Sequence, residues 1–258
     1  MRRLTIEEPV SRAAVWSQRL AVFALVVAGV SLLLARSRGA DPAAALTVFA
    51  AALIVAGFAL ILAGAAASII WRFGFRGAGQ ALLGFVLAAG LLAYPAYLAA
   101  LAFALPRLND VSTDLASPPT FLRTARTRAA GVASEPRPLD EKSRAAQEKA
   151  YPDLQTVKVE MDVLAAYRLA LSVATDIGWR IVDLQPPGPA AGSAAIEALD
   201  RSSFFGFPSD IVIRVKPGAT STAIDMRSAS RVGGHDFGAD AARIRKFVAA
   251  LKEAPLER

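Results

Sequence analysis

The chain has no cysteine and a single histidine, His235. The first absence excludes disulfides and thiolate chemistry. Together the two leave a zinc site without its usual ligands, and the scattered carboxylates show no calcium-loop spacing. No metal and no cofactor is therefore expected. Lysine is missing up to Pro106, where eight arginines stand against Glu7, Glu8 and Asp41. Charge of either sign is missing from Leu20–Ala35, Ala43–Trp71 and Ala78–Leu105, runs of 16, 29 and 28 residues. The lack of any ionisable group inside these runs argues against a proton relay or an ion pathway.

What the chain has in excess is apolar surface: 54% of its 258 residues are hydrophobic, against about 45–50% in soluble domains. The second and third runs exceed the roughly 20 residues that cross a bilayer as a helix. The first is shorter, but Arg36 and Arg38 stand where a leader peptide would carry small residues for cleavage. It reads as a retained span that extends into its flanks. Residues 1–106 are thus expected to form an all-α transmembrane region with spans at about 17–36, 44–71 and 79–105.

Arg2, Arg3, Arg12 and Arg19 precede the first span, Arg36 and Arg38 follow it, and Arg72 and Arg76 follow the second. Six arginines against two place the N-terminus in the cytoplasm and the C-terminal domain outside it, with a bacterial inner membrane as the expected location. Ala59, Ala63 and Ala67 recur every four residues, as do Gly64 with Ser68 and Gly84 with Ala88. This spacing lets helix backbones approach closely, although abundant alanine alone also produces it. Pro95 lacks an amide donor, and a kink is expected there.

The formal charge is +7, but beyond Pro106 there are 21 basic residues against 19 acidic ones. The basic excess flanks the spans. The rest lacks the basic footprint that nucleic acid requires. Residues 107–150 read as a linker or extended arm, with Asn109–Asp114 turn-prone and a helix near Glu141–Lys149. Residues 151–258 read as an α+β domain. Gln155–Glu160 is a strand candidate, and Asp162 caps a helix with Val163, Tyr167, Ala170, Leu171, Ala174 and Ile177 at helical spacing. Gly178 stops that helix. Strands follow at Trp179–Leu184, Ser193–Ser202, Asp210–Lys216 and after Pro217–Thr220. A closing helix begins between Asp236 and Asp240, with Ile244, Phe247, Val248 and Leu251 on one face. The expected fold is an antiparallel sheet of about four to five strands with two main helices.

Alternation along the last hairpin matches Lys216 with Ser221, Ile213 with Ile224 and Ile211 with Met226. It sets Asp210 opposite Arg227 as a cross-strand ion pair. Phe204, Phe205 and Phe207 form either an exposed apolar lip or part of the core.

Three stretches resemble a known family. Leu108-Asn109-Asp110-Val111-Ser112-Thr113-Asp114, then Phe205-Gly206-Phe207 ahead of Asp210, then Arg227–Gly233 with Asp236, Gly238 and Arg243-Ile244 are similar to the domain-of-unknown-function 1499 family. The resemblance covers about residues 107–252. Ser209 stands where a second acidic residue is expected, and Asp240 where an asparagine is expected. The family name implies no activity.

Arg227, Ser228, Ser230, Arg231, His235 and Asp236 are the candidate ligand-binding residues. Two guanidiniums offer bidentate donors to an anion, the adjoining glycines let backbone approach a ligand, and a helix begins nearby. The competing reading pairs Arg227 with Asp210 and tethers Arg231 to an acid. His235 beside Asp236 invites a hydrolase reading with Ser228 or Ser230, but no nucleophile-elbow motif is present. The leading expectation is a non-catalytic extracytoplasmic module for a small anionic ligand, lipid headgroup or envelope partner. A structural subunit that associates with a membrane-protein partner through its spans is the alternative, and a hydrolase-like enzyme the third choice.

Overall fold

A computed structural model describes residues 9–37, 41–121, 140–188 and 192–254. It divides into two compact units, 1–100 and 101–258.

Among the described residues the first unit is built from three helices, α1 (Arg12–Arg36), α2 (Pro42–Phe73) and α3 (Ala78–Ala104, which runs past the unit's end), all long and apolar enough to cross a membrane. Ser11 and Asp41 accept amide hydrogens at the starts of α1 and α2, and Gly74 ends α2 in the left-handed region. Pro95 lies inside α3, which continues past it. The buried positions are Ala14, Ser17, Ala21, Ala24, Ala28 and Ser31 on α1, and Ala45, Phe49, Ala52, Ala56, Ala59, Ala63 and Ala66 on α2. Both sets alternate steps of three and four, the seam of a left-handed coiled pair. Nearly every seam residue is alanine or serine, which lets the backbones close up. Ser17 Oγ donates to the Ala59 carbonyl at 2.9 Å, and Ser31 Oγ to the Ala45 carbonyl at 2.7 Å, so the pair is antiparallel. Gly84 belongs to this packing: a methyl group there would lie 2.8 Å from the Ser17 carbonyl carbon. The strict four-residue repeat does not survive. Ala66 rather than Ala67 is buried, while Gly64 and Ser68 face outward.

The second unit is α+β. Its elements are β1 (Asp110–Ser112), α4 (Glu141–Ala150), β2 (Val157–Val159), α5 (Val163–Asp176), β3 (Arg180–Gln185), β4 (Ala194–Arg201), β5 (Pro208–Pro217), β6 (Thr222–Ser230) and α6 (Ala239–Glu253). The antiparallel sheet has the order β1-β6-β5-β4-β3, and β2 lies beside β6 along the edge it shares with β1. Among the described residues six strands form where four or five were expected. The added one is β1, in a run that reads as turn-prone because it holds a single apolar residue, Val111.

Asp162 caps α5 by accepting from the Leu164 and Ala165 amides, and Gly178 follows its end at φ 89°. The helix buries Ala166, Tyr167, Ala170, Val173 and Ala174, and α6 buries Ala241, Ile244, Phe247 and Leu251. Both cover the sheet face that carries Ile196, Ile211, Ile213, Val215, Ile224 and Met226. Trp179 stacks on Phe247 at 5.6 Å.

The β5–β6 register differs from the expectation by two residues: Ile213 faces Met226, Val215 faces Ile224 and Ile211 faces Ser228. A shift of two preserves which side chains face the core, so alternation alone does not distinguish the registers. The loop decides. Gly218 N–H donates to the Ser221 carbonyl at 2.8 Å, which closes a four-residue turn over 218–221. The expected Asp210–Arg227 pair is thereby overturned, because Asp210 lies opposite Ala229 and Arg227 opposite Val212.

The opposite sheet face carries buried charge. Arg214 and Asp225 are cross-strand partners at 2.7 Å, and Arg214 also reaches Asp114 at 2.9 Å. Gln147 of α4 acts as a surrogate strand partner: it accepts from the Ser112 amide at 3.1 Å and donates to the Ser112 carbonyl at 2.6 Å.

Candidate functional site

Strand geometry separates the six candidate residues before any chemistry begins. Successive residues of β6 point to opposite faces. Arg227 therefore leaves on the charged face, where Nε and Nη2 grip Asp110 at 2.8 and 2.7 Å, and Nη1 donates to the Pro119 carbonyl at 3.1 Å. Its guanidinium also lies 5.1 Å from the Phe121 ring centre. Arg231 binds Asp210 through Nε at 3.0 Å and Nη2 at 2.7 Å. Asp210 is fully buried, while the Arg231 side chain keeps 16% of its surface.

Ser228 and Ser230 leave on the helix-covered face and donate to Asp240 of α6, at 2.7 and 2.9 Å. Arg243 completes this cluster. Its Nη1 donates to Asp240 at 2.6 Å and to Ser228 Oγ at 2.9 Å, and its Nε reaches Asp200 at 2.7 Å. Asp240 thus takes a cation and two hydroxyls. Asp236 accepts from two backbone donors, Gly238 N–H at 2.9 Å and Asp240 N–H at 2.7 Å. Burial first, and the neighbouring Asp240 second, push the Asp236 carboxyl up to about 7. The buried Tyr151 hydroxyl is raised too, by burial and then by Asp236, and has no hydrogen-bond partner among the described residues.

His235 Nδ1 accepts from the Phe237 amide at 3.0 Å, and its ring stacks on Phe237 at 4.7 Å. Its Nε2 is buried without a partner among the described residues. The serine hydroxyls are committed to Asp240, so no Ser–His hydrogen bond forms among the described residues. Phe237 and Gly238 both have positive φ, 55° and 81°, which swings the chain into α6. The positive φ favours glycine at 238, where a methyl group would also lie 2.9 Å from the tip of the Leu105 side chain.

Between Arg231 and His235 the chain makes an exposed turn at Gly233 and Gly234. Asn109 ties it down by donating to the Gly233 carbonyl at 2.9 Å. Phe204, Phe205 and Phe207 form neither a free lip nor core. They are half-buried; Phe204 meets Phe205 edge to face at 5.0 Å, and Phe205 stacks on Phe207 at 5.1 Å. A groove of about 410 Å³ lies elsewhere, lined by Thr113, Asp153, Arg245 and Lys252 among others; none of the six candidates lines it.

The residues that sequence reasoning missed are Asp110, Asp200, Asp240 and Arg243 as partners. For two of them a signal existed. Asp240 and Arg243 share the helix face of Ile244, Phe247 and Leu251, and charges within an apolar stripe mark a buried pair. Asp110 and Asp200 carry no such mark.

A family model described as "Protein of unknown function (DUF1499)" matches residues 110–251, from β1 into α6. A search among curated proteins finds no match.

Proposed function

The chain is a member of the DUF1499 family of proteins of unknown function, and from that premise we propose that it is a membrane-anchored, non-catalytic module that binds a small anionic group outside the cytoplasm. One contrast carries this reading. The hydroxyls and carboxylates suited to a reaction are bonded to each other, whereas the Gly233–Gly234 turn stays exposed beside a partly accessible Arg231. Such an arrangement offers donors and leaves no activated nucleophile among the described residues of the candidate site. The bias of six arginines to two across the short loops supports the extracytoplasmic placement.

Native mass spectrometry of the full chain released from detergent tests the reading. A bound small anion or phospholipid is expected. Protein that stays free of any adduct across a panel of added anions contradicts it.

An assembly role is the second reading. Gly57 and Gly64 on α2 have open space where a side chain would begin, which leaves room for another helix. Under that reading, Gly64→Leu releases a membrane-protein partner that co-purifies with the wild-type chain. Unchanged co-purification removes it.

A further inference from the structure

We propose that the turn between β6 and α6 is a phosphate-binding site completed by Arg107, which takes the phosphate either as the free ion or on a lipid headgroup. This rests on the binding-module reading above and gives it a location and a ligand chemistry.

The first observation concerns the backbone. The amides of Val232, Gly233, Gly234 and His235 make no hydrogen bond among the described residues. Gly233 and Gly234 are exposed, and Gly233 has φ 83°. Successive free N–H groups around a left-handed turn form a concavity that receives anions.

Arg107 supplies the second. A methyl group on Gly234 would lie 3.6 Å from Arg107 Nη2 and 3.8 Å from its Nε, so the guanidinium rests against the turn. Arg214, Arg227, Arg231 and Arg243 each hold a carboxylate. Arg107 is exposed and has no hydrogen-bond or ion-pair partner among the described residues.

Little negative charge opposes an incoming anion. Asp210 is held by Arg231 and Asp240 by Arg243. Asp236 pairs with no arginine or lysine among the described residues, but burial keeps its carboxyl largely neutral below about 7. A carboxylate ligand presents two oxygens in one plane. A phosphate presents more, arranged tetrahedrally, and can meet a guanidinium fork on one side and turn amides on the other.

The lipid source is favoured by chain distance. Arg107 follows the last residue of α3 by three positions, at most about 10 Å of chain. A span that ends at Ala104 therefore holds Arg107 within reach of the headgroup layer.

Calorimetric titration of the full chain in non-ionic detergent is the test. The probes are sodium phosphate and dihexanoyl phosphatidylglycerol. The proteins are wild type, Arg107→Gln, Gly234→Leu and, as a control, Arg180→Gln on the edge strand. Wild type is expected to bind at least one probe. Loss of the guanidinium weakens that binding roughly tenfold or more. Gly234→Leu, which fills the space beside Arg107, weakens it similarly, and Arg180→Gln leaves it unchanged. Binding of the lipid probe alone identifies a headgroup, and comparable binding of both identifies the phosphate itself. If neither probe binds the wild type, both the site and the binding-module reading fall. If a probe binds all four proteins alike, the site falls and the reading stands. Should Arg107→Gln not fold, Gly234→Leu decides alone.

Discussion

Asp210 is fully buried, and Arg231 grips it through two nitrogens. Removing the guanidinium leaves a buried carboxylate short of its cation, a change that costs about 3–5 kcal/mol. Arg231→Ala should therefore lower the unfolding midpoint markedly, as read by tryptophan fluorescence on heating. Arg231→Lys keeps the charge but loses the fork, and should fall between. An Arg231→Ala protein as stable as wild type would contradict the ion pair. The alanine variant is also a poor probe of ligand binding, because it perturbs the fold that carries the turn.

Asp236 makes a pH prediction at the same scale. Its folded carboxyl is raised to about 7, against about 3.9 in an unfolded chain. Between those values the folded protein binds the extra proton. The stabilisation is complete below about pH 4 and is lost as pH rises through about 7. The titratable groups that act on it are Asp240 of α6, His235 on its own loop and Tyr151 at the end of α4. Asp236→Asn should flatten this component in denaturant titrations compared between about pH 5 and pH 8. A variant with the wild-type pH profile would assign the titration elsewhere.

At the scale of elements, the two glycines of the membrane helices separate cleanly. Gly84 packs against the Ser17 backbone, and Gly64 faces open space. Gly84→Leu should disrupt the helix packing and lower the yield of monodisperse protein on size exclusion. Gly64→Leu should leave that yield intact. Equal behaviour would contradict the alanine–serine seam. In the sheet domain, Phe247 is 1% exposed and stacks on Trp179. Its truncation to alanine should cost about 3–5 kcal/mol, measured by denaturant unfolding.

The same elements show what a sequence can carry. The three apolar runs, the Asp162 cap and the α6 stripe follow from local spacing, and all are present. The alternating faces of β5 and β6 were legible as well. Their register was not, because two pairings that differ by two residues bury the same side chains. The β1 strand was missed because Asp-Val-Ser holds one apolar residue and pairs with a strand more than a hundred positions away. The candidate site was legible as a polar segment. That Arg227 and Ser228 leave on opposite faces follows from strand period. Their partners Asp110 and Asp240 depend on tertiary contacts that no spacing reports.

At the scale of the whole molecule, an apolar helical region precedes an α+β domain whose sheet carries a hydrophobic face and a charged one. The proposed orientation is directly testable because the chain has no cysteine. A single cysteine at Arg180 should react with a membrane-impermeant maleimide applied to the outside of the cell membrane. Reaction only after that membrane is permeabilised would place the domain in the cytoplasm.

In the proposed site the Val232–His235 amides receive an anion. Amide hydrogen exchange of the full chain, resolved at this turn with and without saturating phosphate or phosphatidylglycerol, tests it most directly. Exchange at Val232–His235 is expected to slow in the presence of the binding probe, and this slowing is expected to be lost in Arg107→Gln. Exchange at the turn that is the same with and without either probe would contradict it.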